Sequence, residues 1–366
     1  MFRSCLLAAG CFALAIGCNS SNQQPAPAAG TSSFSQPDQA TQPSESSVES
    51  SGQESATHTS IQGPPTKAEM SLRELAARLV VSDGKGGWRI AEQPATELEK
   101  LGPQASADLL PLLKDTSAPV RRGAAFYLLG QFDPAQADQV AAFSALLDDD
   151  DQTLRGFGLT AVKQMREKDQ IAALPRLTAM LTSMREDKAE NRASIARLIG
   201  SLKEDASSAV DSLATAAADD PDAKVRAACL AALVQVAQPA LCLLPLANGL
   251  SDADPAVRLV AAARLRLMGP VAAPAAKQLA AALGDSDARV GENAAEALIR
   301  IGAPAVEPAM AQLASQNIEA KKLALACLAK IGPDAKSALP AIEKCRSDAD
   351  PVVRQLAEAA IKRITM

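Results

Sequence analysis

The residue types with the most obvious chemical potential are acid–arginine couples at a fixed spacing. Asp222 with Arg226, Asp254 with Arg258 and Asp350 with Arg354 each place a carboxylate four residues before a guanidinium. Arg121 belongs to the same series, behind Ser117. Such a stripe would either bind ions or brace the backbone. Its recurrence in nearly every unit favours the brace, because a catalytic site needs only one copy. The run Asp148–Asp151 offers four carboxylates to a cation, but it lacks the alternating oxygen donors and the Gly of a calcium loop. It reads as a solvated turn that caps the next helix. Gly84-Lys85-Gly86-Gly87-Trp88 has neither the preceding strand nor the Gly-Lys-Ser/Thr ending of a phosphate loop.

The nucleophiles and ligands are equally sparse. The single histidine, His58, lies in a Ser/Gln/Pro-rich stretch, which leaves the folded part without imidazole for acid–base work or metal ligation. Cys229, Cys242, Cys327 and Cys345 show no CxxC or metal-like spacing. They read as small buried hydrophobes, with Cys229–Cys242 or Cys327–Cys345 bridges as the alternative in an oxidising compartment. No catalytic residue, cofactor or metal is expected.

Composition describes the elements that carry these residues. The chain has 366 residues, a net charge of −5, 77 alanines and 2% aromatics. Alanine at that density favours close-packed helices. A nearly balanced charge disfavours a nucleic-acid surface, which needs a basic excess to displace counterions.

The couples mark an internal repeat. Asp252-Ala-Asp-Pro-Ala-Val-Arg258 returns as Asp348-Ala-Asp-Pro-Val-Val-Arg354 and, less closely, as Asp220-Pro-Asp-Ala-Lys-Val-Arg226. With the Arg as anchor, further copies fall at Arg121, Arg155, Arg192, Gly291 and Lys321, at intervals of 34, 37, 34, 32, 33, 30 and 33 residues. Four residues before the anchor stand Ser117, Asp151, Asp222, Asp254, Asp287, Asn317 and Asp350, all helix N-cap types, with Lys188 as the exception. Small or apolar residues occupy the third place after the anchor and Leu, Val or Ile the seventh. Those positions share one helical face, the buried stripe of a first helix. That helix stops at Gly269-Pro270, Gly302-Ala303-Pro304 or Gly332-Pro333. A second helix then opens near Pro111, Pro175, Pro245, Pro274, Pro308 or Pro340. Two antiparallel helices of roughly twelve residues per unit make a solenoid.

The Asp-x-Asp-Pro-x-Val-Arg turn, the Ala and Leu that follow it and the Ile-Gly-x-Pro turn resemble HEAT repeats. The short, alanine-rich form is similar to the repeats of phycobilisome lyases. The resemblance covers 91–366, with 69–90 as an N-terminal capping segment of the 69–366 array. It implies an all-α fold, a right-handed α–α superhelix of eight to nine hairpins. In proteins of this kind the Arg and Asp brace neighbouring turns. It also implies a non-enzymatic scaffold that holds a protein or peptide on a concave face lined by second helices. The alternative is an enzyme or auxiliary subunit of a bilin-lyase-like system, which the export signal and the lack of a folded His disfavour.

The N-terminus supplies an address. Residues 1–17 carry one positive charge and then an apolar run ending Ala15-Ile16-Gly17-Cys18, a signal-peptide pattern that resembles a bacterial lipobox. Cys18 is then the lipid attachment site and the membrane contact. Residues 18–68 are dominated by Ser, Gln, Thr, Pro, Gly and Ala and read as a disordered tether. The location expected is the cell envelope. In lipoproteins of this kind Asp after the Cys marks inner-membrane retention, so Asn19 points to the outer membrane. Trp88, Phe126, Tyr127, Phe132, Phe143 and Phe157 are all the aromatics of the folded part. They read either as interface anchors or as filling for an irregular N-terminal core.

Overall fold

A computed structural model describes residues 70–82, 88–183 and 188–366. The signal segment 1–17, Cys18, the tether 18–68 and Gly84–Gly87 lie outside the described residues.

Nine helices carry the anchor positions or stand in register with them: α1 (Leu72–Leu79), α4 (Ala118–Leu129), α6 (Gln152–Val162), α8 (Ala189–Ser201), α10 (Ala223–Val236), α12 (Pro255–Met268), α14 (Ala288–Ile301), α16 (Ile318–Ile331) and α18 (Pro351–Thr365). Between them run the second helices: α2 (Glu92–Lys100) with α3 (Gln104–Leu109), then α5 (Ala137–Ala145), α7 (Glu167–Thr182), α9 (Val210–Asp219), α11 (Pro239–Gly249), α13 (Ala276–Ala281), α15 (Val306–Ala311) and α17 (Leu339–Cys345). The array is thus a right-handed α–α solenoid of helical hairpins closed by α18.

Local chemistry sets the boundaries. The carboxylate of Asp151 accepts from the backbone N–H of Thr153 and Leu154, and Asp222 and Asp350 cap α10 and α18 in the same way. Asp254, Asp287 and Asn317 each accept one such bond. Pro255 and Pro351 stand at the first helical position, where no N–H partner is lost. Ser117 departs from the column, because its side chain caps nothing. Gly302 and Gly332 reverse the chain with φ of 77° and 74°, a region that side chains rarely adopt.

Two features differ from the repeat grammar. Val80–Ser82 (β1) and Trp88–Ile90 (β2) form an antiparallel ribbon, Val80 opposite Ile90, inside the capping segment. Its Val, Trp and Ile residues favour extended backbone over helix. The second helices are also uneven. Pro175 and Pro245 lie inside α7 and α11 rather than at their openings, whereas α13 and α15 are six residues each, flanked by 3-10 turns.

The core is continuous. Ala124, Ile195, Cys229, Ala261, Ala294, Ala324 and Ala357 in the third place after the anchor are fully buried, as are Leu128, Ile199, Leu233, Leu265, Leu298 and Leu328 in the seventh. Small side chains let successive anchor helices approach closely. A Cβ on Gly200 of α8 would come within 3.1 Å of the Ala232 Cα on α10. On Gly123 of α4, it would fall on the Ala76 carbonyl of α1. From α8 to α18 the second helices touch their successors less than the anchor helices do, whereas α6 and α8 touch only slightly. The anchor helices of that stretch are the tighter, inner row of the stack.

Candidate interaction surface

The turn charges form a ladder between units, not couples within them. Arg258 donates from Nε and Nη2 to both carboxylate oxygens of Asp285, at 2.7 and 2.8 Å. Its Nη1 donates to the carbonyls of Asp252 and Ala253 in its own turn, at 2.9 and 3.1 Å. One planar guanidinium therefore stitches its own turn to the next, a geometry lysine cannot supply. Arg121 with Asp149, Arg192 with Asp220 and Arg226 with Asp252 repeat the bidentate pair. Each accepting Asp also takes an N–H bond from the residue two places on, such as Asp287 onto Asp285 at 2.8 Å. Asp222, Asp254 and Asp350 are helix caps and do not pair with Arg226, Arg258 and Arg354 as the spacing suggests. A side chain four residues ahead of the Arg is already spent on the helix N-terminus.

The electrostatics follow from these bonds. Hydrogen bonding to Arg226 holds the Asp252 carboxyl below its ordinary value, against the opposing effect of burial. Arg258 does the same to Asp285. In return the Arg226 and Arg258 guanidinium groups are held above theirs by their carboxylate partners. The Arg192–Asp220 pair is the most enclosed, with side chains 4% and 1% exposed.

The ladder's ends and its exception were not visible as such in the repeat. Arg73 on α1 donates to both oxygens of Asp115, at 2.8 and 2.9 Å, so the capping segment supplies a first rung. Arg354 reaches only the carbonyls of its own turn, Asp348 and Ala349. Where Gly291 replaces the anchor, the Asn317 Nδ2 donates to the Gly284 carbonyl at 3.0 Å. A Cβ on Gly284 would stand 2.8 Å from that nitrogen. Lys321 reaches Asp348 by a single bond of 2.6 Å. The accepting column, Asp115, Asp149, Asp220, Asp252, Asp285 and Asp348, stands in the sequence six residues before six of the eight anchors, with Glu186 and Ser315 in that place before Arg192 and Lys321.

The other candidate groups are likewise committed. Asp148 pairs with Arg176 at 2.7 Å, Asp149 with Arg121, and Asp151 caps α6. Among the described residues no group of three His, Cys, Asp or Glu side chains is placed to hold a metal ion. Cys229, Cys242, Cys327 and Cys345 are buried free thiols rather than two bridges. Cys327 lies with Sγ 3.4 Å from the Ala295 carbonyl on the preceding anchor helix. Burial pushes Cys229 and Cys327 up to about 12, far from a reactive thiolate.

Phe126, Tyr127, Phe143 and Phe157 are buried in the N-terminal core, whereas Trp88 and Phe132 pack against it half-buried. Phe126 packs edge-on to Phe157 with centroids 6.1 Å apart, and Phe132 to Phe143 at 5.2 Å. Tyr127 is 3% exposed. Only Trp88 keeps a polar partner at the surface, with the Arg122 guanidinium 4.9 Å over its ring.

What remains open is a half-exposed stripe of the inner row, more exposed at Lys163 and Arg197. On consecutive anchor helices it runs Gly156, Thr160, Lys163, then Arg197, then Ala227, Ala231, Val234, then Leu259, Ala263, Arg266. Residues four and then three apart stand on one helical face. None of them belongs to the ladder.

Comparisons place this geometry among known proteins. Residues 277–362 match the family model of HEAT repeats. No curated protein sequence matches the chain. The karyopherin Kap121p bound to the extreme C-terminus of the protein phosphatase Cdc14p is similar in fold, with TM-score 0.52 and 12% identity over 80% of this chain. Kap121p bound to the SUMO protease Ulp1p gives TM-score 0.52 and 13% identity over the same share. The chain spans 37% of the length of either karyopherin. A designed armadillo repeat protein aligns along 99% of its own length and 52% of this chain, at 21% identity and TM-score 0.34. The chain is an α-solenoid whose residues 277–362 match the HEAT-repeat family model.

Proposed function

We propose that the protein is a non-enzymatic scaffold that binds a protein or peptide along its inner row of helices. The observation that carries this reading is a division of labour. The turn charges stitch the units together, while the half-exposed inner stripe from Thr160 to Arg266 takes no part in that ladder. Repeat arrays expose long surfaces of this kind because each unit contacts only its neighbours. Karyopherin Kap121p, similar in fold, has been captured with the extreme C-terminus of another protein. That precedent supports a peptide partner here by analogy of fold alone.

The sequence supports the finer part of the proposal, an anchor at the bacterial envelope. Cys18 carries the lipid, 18–68 is the tether, and the outer membrane is the preferred surface. Cys18→Ser should move the protein from the membrane fraction to the soluble one. Unchanged detergent partitioning with no loss of acyl label would contradict the anchor. For the binding face, a photo-crosslinker at Ala231 of the inner row should capture a partner that one at Thr215 of α9 does not. Capture from Thr215 alone would overturn the inner-row reading.

A further inference from the structure

Charge on the inner row is segregated in a way the repeat does not require. Anchor helices α4, α6, α8, α10 and α12 contain ten Lys or Arg and one acid, Glu190. Acids return to the anchor helices only at Glu292 and Glu296 of α14. Five of the ten cations belong to the turns: Arg121, Arg155, Arg192, Arg226 and Arg258. Arg122 stands 3.1 Å from Asp151 and over Trp88. The stripe itself holds Arg197 and Arg266, with Lys163 just beyond α6.

These three cations have no carboxylate partner among the described residues. Arg197 is exposed, and its side chain bonds only to the Ser194 hydroxyl of its own helix, at 3.2 Å. The Arg266 Nε is buried without a hydrogen-bond partner. Burial, and then repulsion from Arg197, lowers the Lys163 amine from its ordinary value. Two cations near enough to repel each other gain from an incoming anion. Between Arg197 and Arg266 lie the half-buried Ala227, Ala231, Val234, Leu259 and Ala263, a shallow apolar floor.

We infer that this part of the inner row takes an acidic polypeptide segment with apolar residues between its carboxylates. The inference rests on the scaffold reading and names the chemistry of its partner. Carboxylates would meet Lys163, Arg197 and Arg266, while apolar side chains cover the alanine floor. Complementary charge of this kind sets register and association rate. A nucleic-acid backbone fits less well. It needs closely spaced cations, and here apolar residues separate them on a chain of net charge −5.

The test is fluorescence anisotropy on the full chain with labelled peptides of alternating Glu and Leu, about 12 residues long, the length of a three-turn helix. The wild type should bind this probe, less tightly as salt rises, and Arg197→Glu with Arg266→Glu should weaken binding roughly tenfold or more. Melting of the double variant should match wild type, since neither residue is in the ladder. Absence of binding by wild type, equal affinity for an alternating Lys–Leu peptide, or unchanged affinity in the double variant would overturn the inference. Tighter binding of oligothymidylate than of the acidic peptide would overturn it in favour of nucleic acid. If the Ala231 crosslinker captures a basic or neutral segment, the acidic partner is refuted while the scaffold reading stands.

Discussion

Arg258 and Asp285 stand 27 residues apart in the chain and meet through two hydrogen bonds of 2.7 and 2.8 Å. The same guanidinium holds the Asp252 carbonyl of its own turn, and Asp252 in turn receives Arg226. Each arginine is therefore a joint between one turn and the next. This ties the orientation of consecutive hairpins to the charge state of a few carboxylates.

That dependence sets the behaviour in acid. The Asp252 and Asp285 carboxyls titrate below their ordinary value of 3.8 in the folded array because each accepts from an arginine. A group with a depressed folded-state value stabilises the fold fully above its unfolded value and loses that contribution as pH falls through the folded one. Thermal melts should thus be flat from pH 7 to about 5 and fall steeply below about pH 4. Asp285→Asn should melt lower at neutral pH and show a shallower decline in acid. An equal decline in the variant would remove Asp285 from the transition.

Close backbone approach makes a second prediction. Gly123→Ala would set a methyl against the Ala76 carbonyl, so α1 should detach from α4. Hydrogen exchange should then rise across 72–79 and stay protected beyond 223. Gly302→Ala acts differently, since its φ of 77° is costly for any side chain whatever the space around it. It should destabilise the array by about 1–3 kcal/mol. A Gly302→Ala protein that melts with wild type would contradict that backbone requirement.

Cys229 and Cys327 offer a chemical readout of the packing. With both thiols fully buried and pushed up to about 12, neither should react with maleimide at pH 8 in the folded protein. Both should react once urea unfolds the array. Rapid native labelling of either would show that the anchor helices open around it.

Much of this was legible in the sequence, for physical reasons. The period, the cap column and the buried stripe depend on local backbone chemistry, and Asp254, Ala261 and Leu265 each occupy the role their spacing implies. The ladder partners were harder to read. Arg258 belongs with Asp285 only once two hairpins have stacked, and nothing within one unit encodes that. The same holds for the inner row. Which helices lie inside the arc is decided by tight contacts such as Gly200 on Ala232, not by any motif. The β1–β2 ribbon lies where the repeat lapses, so strand propensity at Val80, Val81 and Ile90 had no periodic signal to mark it.

Native-state hydrogen exchange on Arg258→Ala asks most directly whether the turn charges hold the array together while the inner row does the binding. Removing the guanidinium leaves the Asp285 carboxylate and the Asp252 carbonyl without their donor, at about 1–3 kcal/mol. Because stability in a solenoid is a sum of unit and neighbour terms, exchange should rise between roughly 220 and 300 while helices near 120 stay protected. Capture through a crosslinker at Thr160, outside the loosened units, should persist. Unchanged exchange and melting together with abolished capture would show that Arg258 contacts the partner and that the ladder is not a structural brace.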